Sequence, residues 1–577
     1  MIQTTPTPDC LKWRADLLDG VSPQDVGFLH SRLDELDQKK GYVASNSWLR
    51  GAIDRFKLIA RVDQTGMRNC VLKEAERRQK RDNQETAMAW LNTVVNRLKF
   101  CEEWITDLTG DKLTTWANEK SRRFEMSAKG LLVGQFEHFF DFIKREAESV
   151  NALFDKWDDD DSVHALMLRM CTPEWWIRQA KRHYRVVENI RRECGQVCNQ
   201  ESPYVSRWGI NRFRKQKQMN RAFLESYEAV NQHEQTFLLS ELAAKSISNP
   251  AHTKAELAVR IKGLQYLAVQ CGHIGWFLTM TCPSKYHAVH KKTGHRNKKF
   301  YDFGCPSPRD AQMYLNKQWA KIRAACKRES IHFYGLRAVE PHHDGTPHWH
   351  LIIFIDSKQS DRFLEIAEKY AFEVDGDESG ASESRFDKKF LDPEKGGAIA
   401  YVVKYIAKNI DGVDANGQSV GIDDETGLDL VKTAERTQAW KSRHGIRQFQ
   451  FLGSSSVTVW REIRRLKDSI PKTFIDIYNA AKTNDWKRYT ELMGIGKQQA
   501  LRPFYEQGES NQFGEPTTKV KGLVSVVAEF LPTRMYEWTI QRVGSCSSSS
   551  LLGAAQPFPR TRVNNCTGGN FSPPNYH

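Results

Sequence analysis

Two histidines one residue apart, His348 and His350 in the string EPHHDGTPHWHLIIF (residues 340–354), form the group with most chemistry in it. Along a β-strand alternate side chains share a face, so His348 and His350 point one way and Trp349 the other. Two imidazoles on a rigid face can hold a divalent cation, and a carboxylate as third ligand leaves positions open for substrate oxygens. Glu340, on the preceding strand, is the natural third ligand, and the turn decides whether it reaches. With a two-residue turn at Asp344-Gly345, Glu340 pairs with Trp349 and faces away from the imidazoles. With a loop of His343, Asp344 and Gly345, the glycine left-handed in a bulge, His342 pairs with Thr346 and Glu340 lands opposite His348. The second register is the one predicted, with His342 or His343 as fallback ligands. Histidines that merely cap a sheet face are the plain alternative.

A second group follows in GGAIAYVVKYIAKNID, residues 396–411. It reads as one amphipathic helix opened by glycines. Ile399, Val403, Ile406 and Ile410 keep helical spacing and are expected to face the core. Tyr401 and Tyr405, four apart, fall on the other, exposed side with Lys404 and Lys408. Lysines neutralise phosphate and favour the phenolate of a tyrosine, whose ordinary pKa is about 10. Alone, the helix could equally be a surface helix with tyrosines packed at a groove edge. Combined with the histidine strand it suggests phosphoryl chemistry: a metal polarises a scissile phosphate while a tyrosine oxygen attacks phosphorus, giving a covalent phosphotyrosyl intermediate.

The elements that must position these groups differ along the chain. Up to about residue 262 the pattern is helical, as in residues 85–107 and 134–149, with the acidic run at residues 158–161 read as a loop. Residues 171–224 interleave Arg and Lys with Trp175, Trp176, Tyr184, Tyr204 and Trp208. The middle then supplies short segments rich in β-formers at residues 275–281, 331–340, 348–355 and 447–452, separated by helical stretches at 308–328, 360–373, 397–410 and 454–467. The expected class is α+β: a domain built on a central antiparallel sheet flanked by helices, preceded by a large, mostly α-helical N-terminal region. The expected division is 1–165 helical, 166–264 basic and helical, 265–468 the domain of the central sheet, 469–543 a small mixed region, and 544–577 a disordered tail.

Composition narrows the function classes. In 577 residues, 85 Lys and Arg outweigh 71 Asp and Glu, a formal charge of +14 that favours a polyanionic partner. No run approaches the roughly 20 apolar residues that span a bilayer, and the start has no signal-peptide pattern. The 12 cysteines are scattered, which fits free thiols in a reducing, cytoplasmic setting. Cys194 and Cys198 lie near Cys171, but no fourth zinc ligand declares itself, and Cys282 reads as a packing residue. The basic stretch from Trp175 to Arg221 has two readings. Its cations can grip phosphates, with Arg178, Lys181, Arg182, Arg185, Arg191 and Arg192 in KRHYRVVENIRR and just before it the first candidates, while aromatics stack on unpaired bases. Alternatively, the tryptophans are core and the arginines a solvated helix face.

Histidine–hydrophobic–histidine followed by a tyrosine helix resembles the HUH endonucleases, the superfamily of rolling-circle initiators and relaxases. The strings FLTMTCPSKYH, YGLRAVEPHHDGTPHWHLIIF, AIAYVVKYIAKNID and CTPEWWIRQ resemble the replication gene A proteins of tailed bacteriophages, over roughly residues 170–470. The resemblance implies that residues 277–281 form a strand beside the site. It implies that His348 and His350 bind metal with Glu340, that Tyr401 and Tyr405 are paired nucleophiles, and that Lys404 and Lys408 are basic residues of the same helix. It implies Mg²⁺ or Mn²⁺, although the ligand set would also accept Zn²⁺. The activity implied is rolling-circle initiation. One tyrosine nicks single-stranded origin DNA, keeps the 5′ phosphate and frees a 3′ hydroxyl for a host polymerase; the second permits strand transfer. The sequence has no GxxxxGK[ST] loop, so unwinding falls to a host helicase and no nucleotide cofactor or membrane is expected. A relaxase or transposase of the same superfamily, and a non-catalytic DNA-binding replication factor, are the alternatives.

Overall fold

The computed structural model describes residues 3–544, apart from residues 22, 60–66, 101–102, 105–107, 109, 135–137, 153, 292, 393, 395–396, 415, 467–469 and 495–498. Within helices and strands, the side chains of residues 23–24, 58–59, 99–100, 103–104, 132–134, 400–404 and 407 are also outside the description. Of the tail expected to be disordered, only residue 544 is among the described residues. The chain divides into two compact units, Met1–Gln196 and Val197–His577.

The first unit is mostly helical, as its periodicity predicts, but the helix expected over residues 85–107 ends at Leu98, where the short strands Lys99–Phe100 and Glu103–Trp104 pair instead. Its opening helix, Pro8–Leu18, starts with proline at the first position and with the Thr7 side chain accepting from Cys10 N, which satisfies an otherwise orphaned donor. Leu29, Leu33, Leu49, Ile53 and Phe56, at helical spacing on Pro23–Lys40 and Tyr42–Ile59, close a core. Buried Arg14 braces it through paired bonds of 2.8 Å to both carboxylate oxygens of Asp37. The acidic run expected to be a loop is instead half helix. Asp159 is the N-cap of Asp160–Met170, and Asp160 and Asp161 occupy the first turn, where the helix dipole favours negative charge.

The second unit is built on a five-stranded, wholly antiparallel sheet. In chain order its strands are β1 (His273–Met280), β2 (Phe333–Pro341), β3 (Pro347–Asp356), β4 (Phe386–Phe390) and β5 (Phe449–Leu452). Their spatial order is β4-β1-β3-β2-β5, with β3 at the centre. Being central, β3 is buried on both faces, which explains its near-continuous apolar run after His350. Alternation sorts its side chains. Trp349, Leu351, Ile353 and Ile355 join one core with helices Pro308–Arg328 and Ser357–Ala371. Ile352 and Phe354 face the opposite core, which contains α1 (Pro250–Cys271) and α2 (Gly397–Ile410). By the same alternation His348 and His350 lie on the α2 side.

Helicity does not run unbroken to residue 262. Strands Tyr227–Asn231 and Thr236–Leu238 pair with each other, and Trp538–Arg542 completes their three-stranded sheet. Runs of five and three residues carry too little period-two signal to stand out, and one partner strand comes from the other end of the unit. Among the described residues no helix is long and apolar enough to cross a membrane.

Candidate active site

The β2–β3 hairpin adopts the second of the two registers. His342 N donates to Thr346 O at 2.7 Å, Gly345 is left-handed at φ 81°, and Glu340 pairs with His348. Only glycine takes that backbone conformation without strain. The turn is further pinned from outside, because Trp440 Nε1 donates to Gly345 O at 2.8 Å and Ala288 N donates to Asp344 Oδ2 at 2.7 Å.

His348 Nε2 and His350 Nε2 therefore face each other at 2.9 Å, and Glu340 Oε2 lies 3.9 Å from His350 Nε2. The three ligand atoms all lie within 4.8 Å of one another. Two nitrogens bound to one ion at about 2.1 Å and a right angle would sit about 3 Å apart, so the geometry fits a single cation. The nitrogens are in the right state for one. Burial holds the His350 imidazole down at about 3, helped by the Lys408 charge, and burial with the neighbouring His342 and His350 depresses His348 well below its ordinary value. Both rings are neutral at physiological pH and keep a lone pair. Thr279 Oγ lies 3.2 Å from His350 Nδ1, the second-layer contact that fixes a ligand ring. No cysteine joins a metal-capable group among the described residues, so Cys171, Cys194 and Cys198 form no such centre there. Cys282 packs in the core, its sulfur 3.6 Å from two backbone carbonyls.

Helix α2 lies over this group. The Tyr405 ring centroid is 4.4 Å from that of His350 and 5.4 Å from that of Phe277, which itself stacks on His350 at 5.3 Å. Phe277, from the segment expected to run beside the site, thus supports both a ligand ring and a phenol. Ile406 and Ile410 are buried as expected, and Ile399 is half-buried. Tyr401 and Lys404 belong to the same helix, but their side chains, like that of Val403, lie outside the described residues.

The expected exposed face is corrected at two residues: Tyr405 is half-buried, packed against the same core as Ile406 and Ile410, and the second is Lys408. It is buried, with Nζ 3.0 Å from Asp423 Oδ1, 3.5 Å from Glu340 Oε2 and 3.9 Å from Glu425 Oε2. Burial alone would lower its pKa, but the three carboxylates outweigh it and keep the ammonium charged. Its role is to bind a cluster of acids together. Burial would raise the Glu425 carboxyl, yet the His342 hydrogen bond and the His342 and Lys408 charges bring it down to about 2. Tyr204 donates to Asp423 Oδ2 at 2.7 Å. For Glu340 the balance goes the other way: burial raises its pKa despite Lys408 and Asn409. His342, a fallback ligand, instead stacks on His348 at 4.0 Å with Nδ1 3.4 Å from Glu425 Oε1. His343 is buried and lies outside the metal-capable group, and its backbone N–H donates to Glu425 Oε1 at 3.2 Å.

Asp423, Glu425 and Asn409 were not singled out by sequence reasoning, and Tyr204, read there as an aromatic of the basic stretch, is instead buried against Asp423. The acidic run DDE at residues 423–425, between two helices, was the available signal. Of the candidate DNA-gripping residues, Arg178, Lys181 and Arg182 are exposed and Arg185 is half-buried. Arg191 and Arg192 are buried, with Arg191 donating to Gln196 at 2.7 Å, so they do not belong to an exposed phosphate-gripping face. Trp175 and Trp176 are core residues, with Trp176 Nε1 bonded to Met170 O at 2.7 Å, and are not available for base stacking.

Glu340, His348, His350 and helix α2 fall within a stretch that matches a known family. The family model described as bacteriophage replication gene A protein matches residues 139–413. The replication gene A protein of Escherichia phage 186 is 36% identical over 438 residues, covering 73% of this chain and 62% of the relative. That of Escherichia phage P2 is 35% identical over 440 residues, covering 71% of this chain and 57% of the relative. A protein named probable replication endonuclease, from a prophage-like region of Salmonella typhi, is 32% identical over 435 residues, 71% of this chain and 52% of the relative. The chain thus spans between half and two thirds of the length of these relatives. No solved structure matches it.

Proposed function

Because this chain belongs to the bacteriophage replication gene A protein family, we propose that it initiates DNA replication as a tyrosine-nucleophile endonuclease that nicks one strand of an origin. The observation that carries this reading is the Tyr405 ring packed 4.4 Å from His350, in a group where Glu340, His348 and His350 can hold one cation. The names of relatives called replication endonucleases support nuclease chemistry.

Glu340, His348 and His350 would hold Mg²⁺ or Mn²⁺, which when bound supplies Lewis-acid polarisation of the scissile phosphate. The protein's own residues do the rest. The neutral imidazoles offer lone pairs, Thr279 orients one of them, and Phe277 fixes the Tyr405 ring beside them. The Tyr405 oxygen, or that of Tyr401 one turn earlier, attacks phosphorus. A tyrosine O–P bond forms as the phenol gives up its proton, the P–O3′ bond breaks, and the 3′ oxygen leaves as an alkoxide that takes up one proton to become the 3′ hydroxyl. The 5′-phosphotyrosyl link conserves a phosphodiester, so a second tyrosine or a 3′ hydroxyl can reverse or transfer it without a nucleotide cofactor. Strand transfer, and a host polymerase and helicase as partners, belong to the same reading. Basic residues of helix Pro173–Glu193 that stay exposed, Arg178, Lys181 and Arg182, are the proposed contacts to DNA phosphates.

The test is incubation with single-stranded phage-origin DNA and Mn²⁺, followed by denaturing electrophoresis. The expected result is a nick and a protein–DNA adduct that vanish together in the Tyr401→Phe, Tyr405→Phe double variant. Salt-sensitive binding without cleavage under any divalent metal would leave only a DNA-binding factor.

A further inference from the structure

A chain of hydrogen bonds, buried at its inner links, reaches the Glu340 oxygen that is not the one nearest His350. Lys441 Nζ donates to Gln448 Oε1 at 3.1 Å, and Gln448 Nε2 donates to Asn409 Oδ1 at 2.6 Å. Asn409 Nδ2 then donates to Glu340 Oε1 and, at 2.6 Å, to the backbone carbonyl of Tyr405. Asn409 is fully buried and Gln448 nearly so. Val339 N donates to Gln448 O at 2.8 Å, so this residue is itself tied to the strand that carries Glu340.

The polarity of the chain is not arbitrary. An amide side chain can turn over and exchange its oxygen for its nitrogen, and neither Asn409 nor Gln448 would alone select an orientation. The two ends do. An ammonium group has donors and no acceptor, so Lys441 requires the Gln448 oxygen. That turns the Gln448 nitrogen toward Asn409, whose oxygen must meet it, and the Asn409 nitrogen is left facing the carboxylate, which accepts only. Every amide atom in the series is used once its direction is set.

We propose that Lys441, Gln448 and Asn409 form a directed relay that positions Glu340 as a metal ligand and couples it to the helix of the tyrosines. The inference rests on the metal-site reading above. Asn409 occupies Oε1 of Glu340, so that Oε2, 3.5 Å from Lys408 Nζ, is the oxygen on the His350 side. Asn409 is itself on the tyrosine helix, so its bond to Glu340 ties that helix to the ligand, while its other hydrogen, on the Tyr405 carbonyl one turn back, holds the amide in place. These are positioning residues: none lies among the three that can hold the cation.

The discriminating variant is Gln448→Glu, nearly the same in shape. A carboxylate at 448 accepts and does not donate, so the Asn409 amide either loses its partner at Oδ1 or turns over and sets that oxygen against Glu340 and the Tyr405 carbonyl, and in both cases the hold on Glu340 is weakened. Mn²⁺ affinity is measured by calorimetry on the full chain, without DNA, for the wild type, Gln448→Glu and Asn409→Ala, with thermal unfolding in chelator alongside. The expected result is a Kd raised about 10–100-fold in both variants, the range for loss of a partner behind a metal ligand. Nicking by Gln448→Glu should recover when Mn²⁺ is raised to saturation, whereas a merely structural defect would not be repaired by metal. Wild-type binding matched by both variants overturns the relay alone. A wild type that binds no Mn²⁺ overturns the metal reading and the relay with it.

Discussion

Glu340→Gln separates what a buried carboxylate does for the fold from what it does for a cation. The side chain is buried with Lys408 Nζ 3.5 Å from Oε2. At an effective dielectric of about 20, that attraction is roughly 5 kcal/mol. Burial nevertheless raises the Glu340 pKa, so desolvation exceeds what Lys408 and Asn409 return. The sign follows: an acid with a folded pKa above its unfolded one holds its proton through the window between them, and above that window its ionised form weakens the fold. Glutamine removes that charge and still accepts from Asn409, while Lys408 keeps Asp423 and Glu425. With the two effects opposed, the variant in chelator should match the wild type within about 1 kcal/mol. Metal should then tell them apart. At about 100 times its Kd, Mn²⁺ stabilises the wild type by about 2.7 kcal/mol, and a variant binding 100-fold more weakly gains only about 0.4 kcal/mol. Urea unfolding of both proteins, with chelator and with Mn²⁺, measures all four values. A variant more than about 2 kcal/mol less stable in chelator, or one that keeps the full Mn²⁺ increment, would refute the reasoning.

Lys408→Met leaves buried carboxylates without their cation and should destabilise the second unit by about 3–5 kcal/mol, read by urea unfolding in chelator. Gly345→Ala forces a side chain into a left-handed position and brings its Cβ 3.1 Å from Tyr204 O; a loss of about 1–2 kcal/mol in the same assay and weaker Mn²⁺ binding are expected. Buried Glu462 gives a pH dependence. Burial pushes its carboxyl up, but bonds from Arg534 and Thr533 overcome this and hold it below its ordinary value of 4.5. Its contribution should be full above that pH and fade as pH falls through the folded value, and Glu462→Gln should flatten this part of a stability-against-pH curve.

The hairpin was legible because its register hangs on one residue. Gly345 could take the left-handed position, and a one-residue slip would have sent Glu340 to the wrong face. That His348 and His350 share one face of their strand was legible from its period of two, and the tyrosine helix from its isoleucines. Lys408 was misread for an equally physical reason. Helical spacing gives the side of a helix on which a residue falls, not what later chain folds over that side. Here the loop carrying Asp423 and Glu425 returns to bury the ammonium. The same limit applies to helix Pro173–Glu193, whose arginines near the C-terminal end are covered while Arg178, Lys181 and Arg182 are not. Strands Tyr227–Asn231 and Thr236–Leu238 escaped because their partner, Trp538–Arg542, lies far along the chain.

Mass spectrometric identification of the DNA-linked peptide after cleavage of single-stranded origin DNA asks most directly whether a phenol beside His350 performs the reaction. A nucleotide carried on Tyr401 or Tyr405 is the predicted result. A nucleotide on any residue outside Gly397–Ile410, or cleavage with no linked peptide at all, would contradict the account.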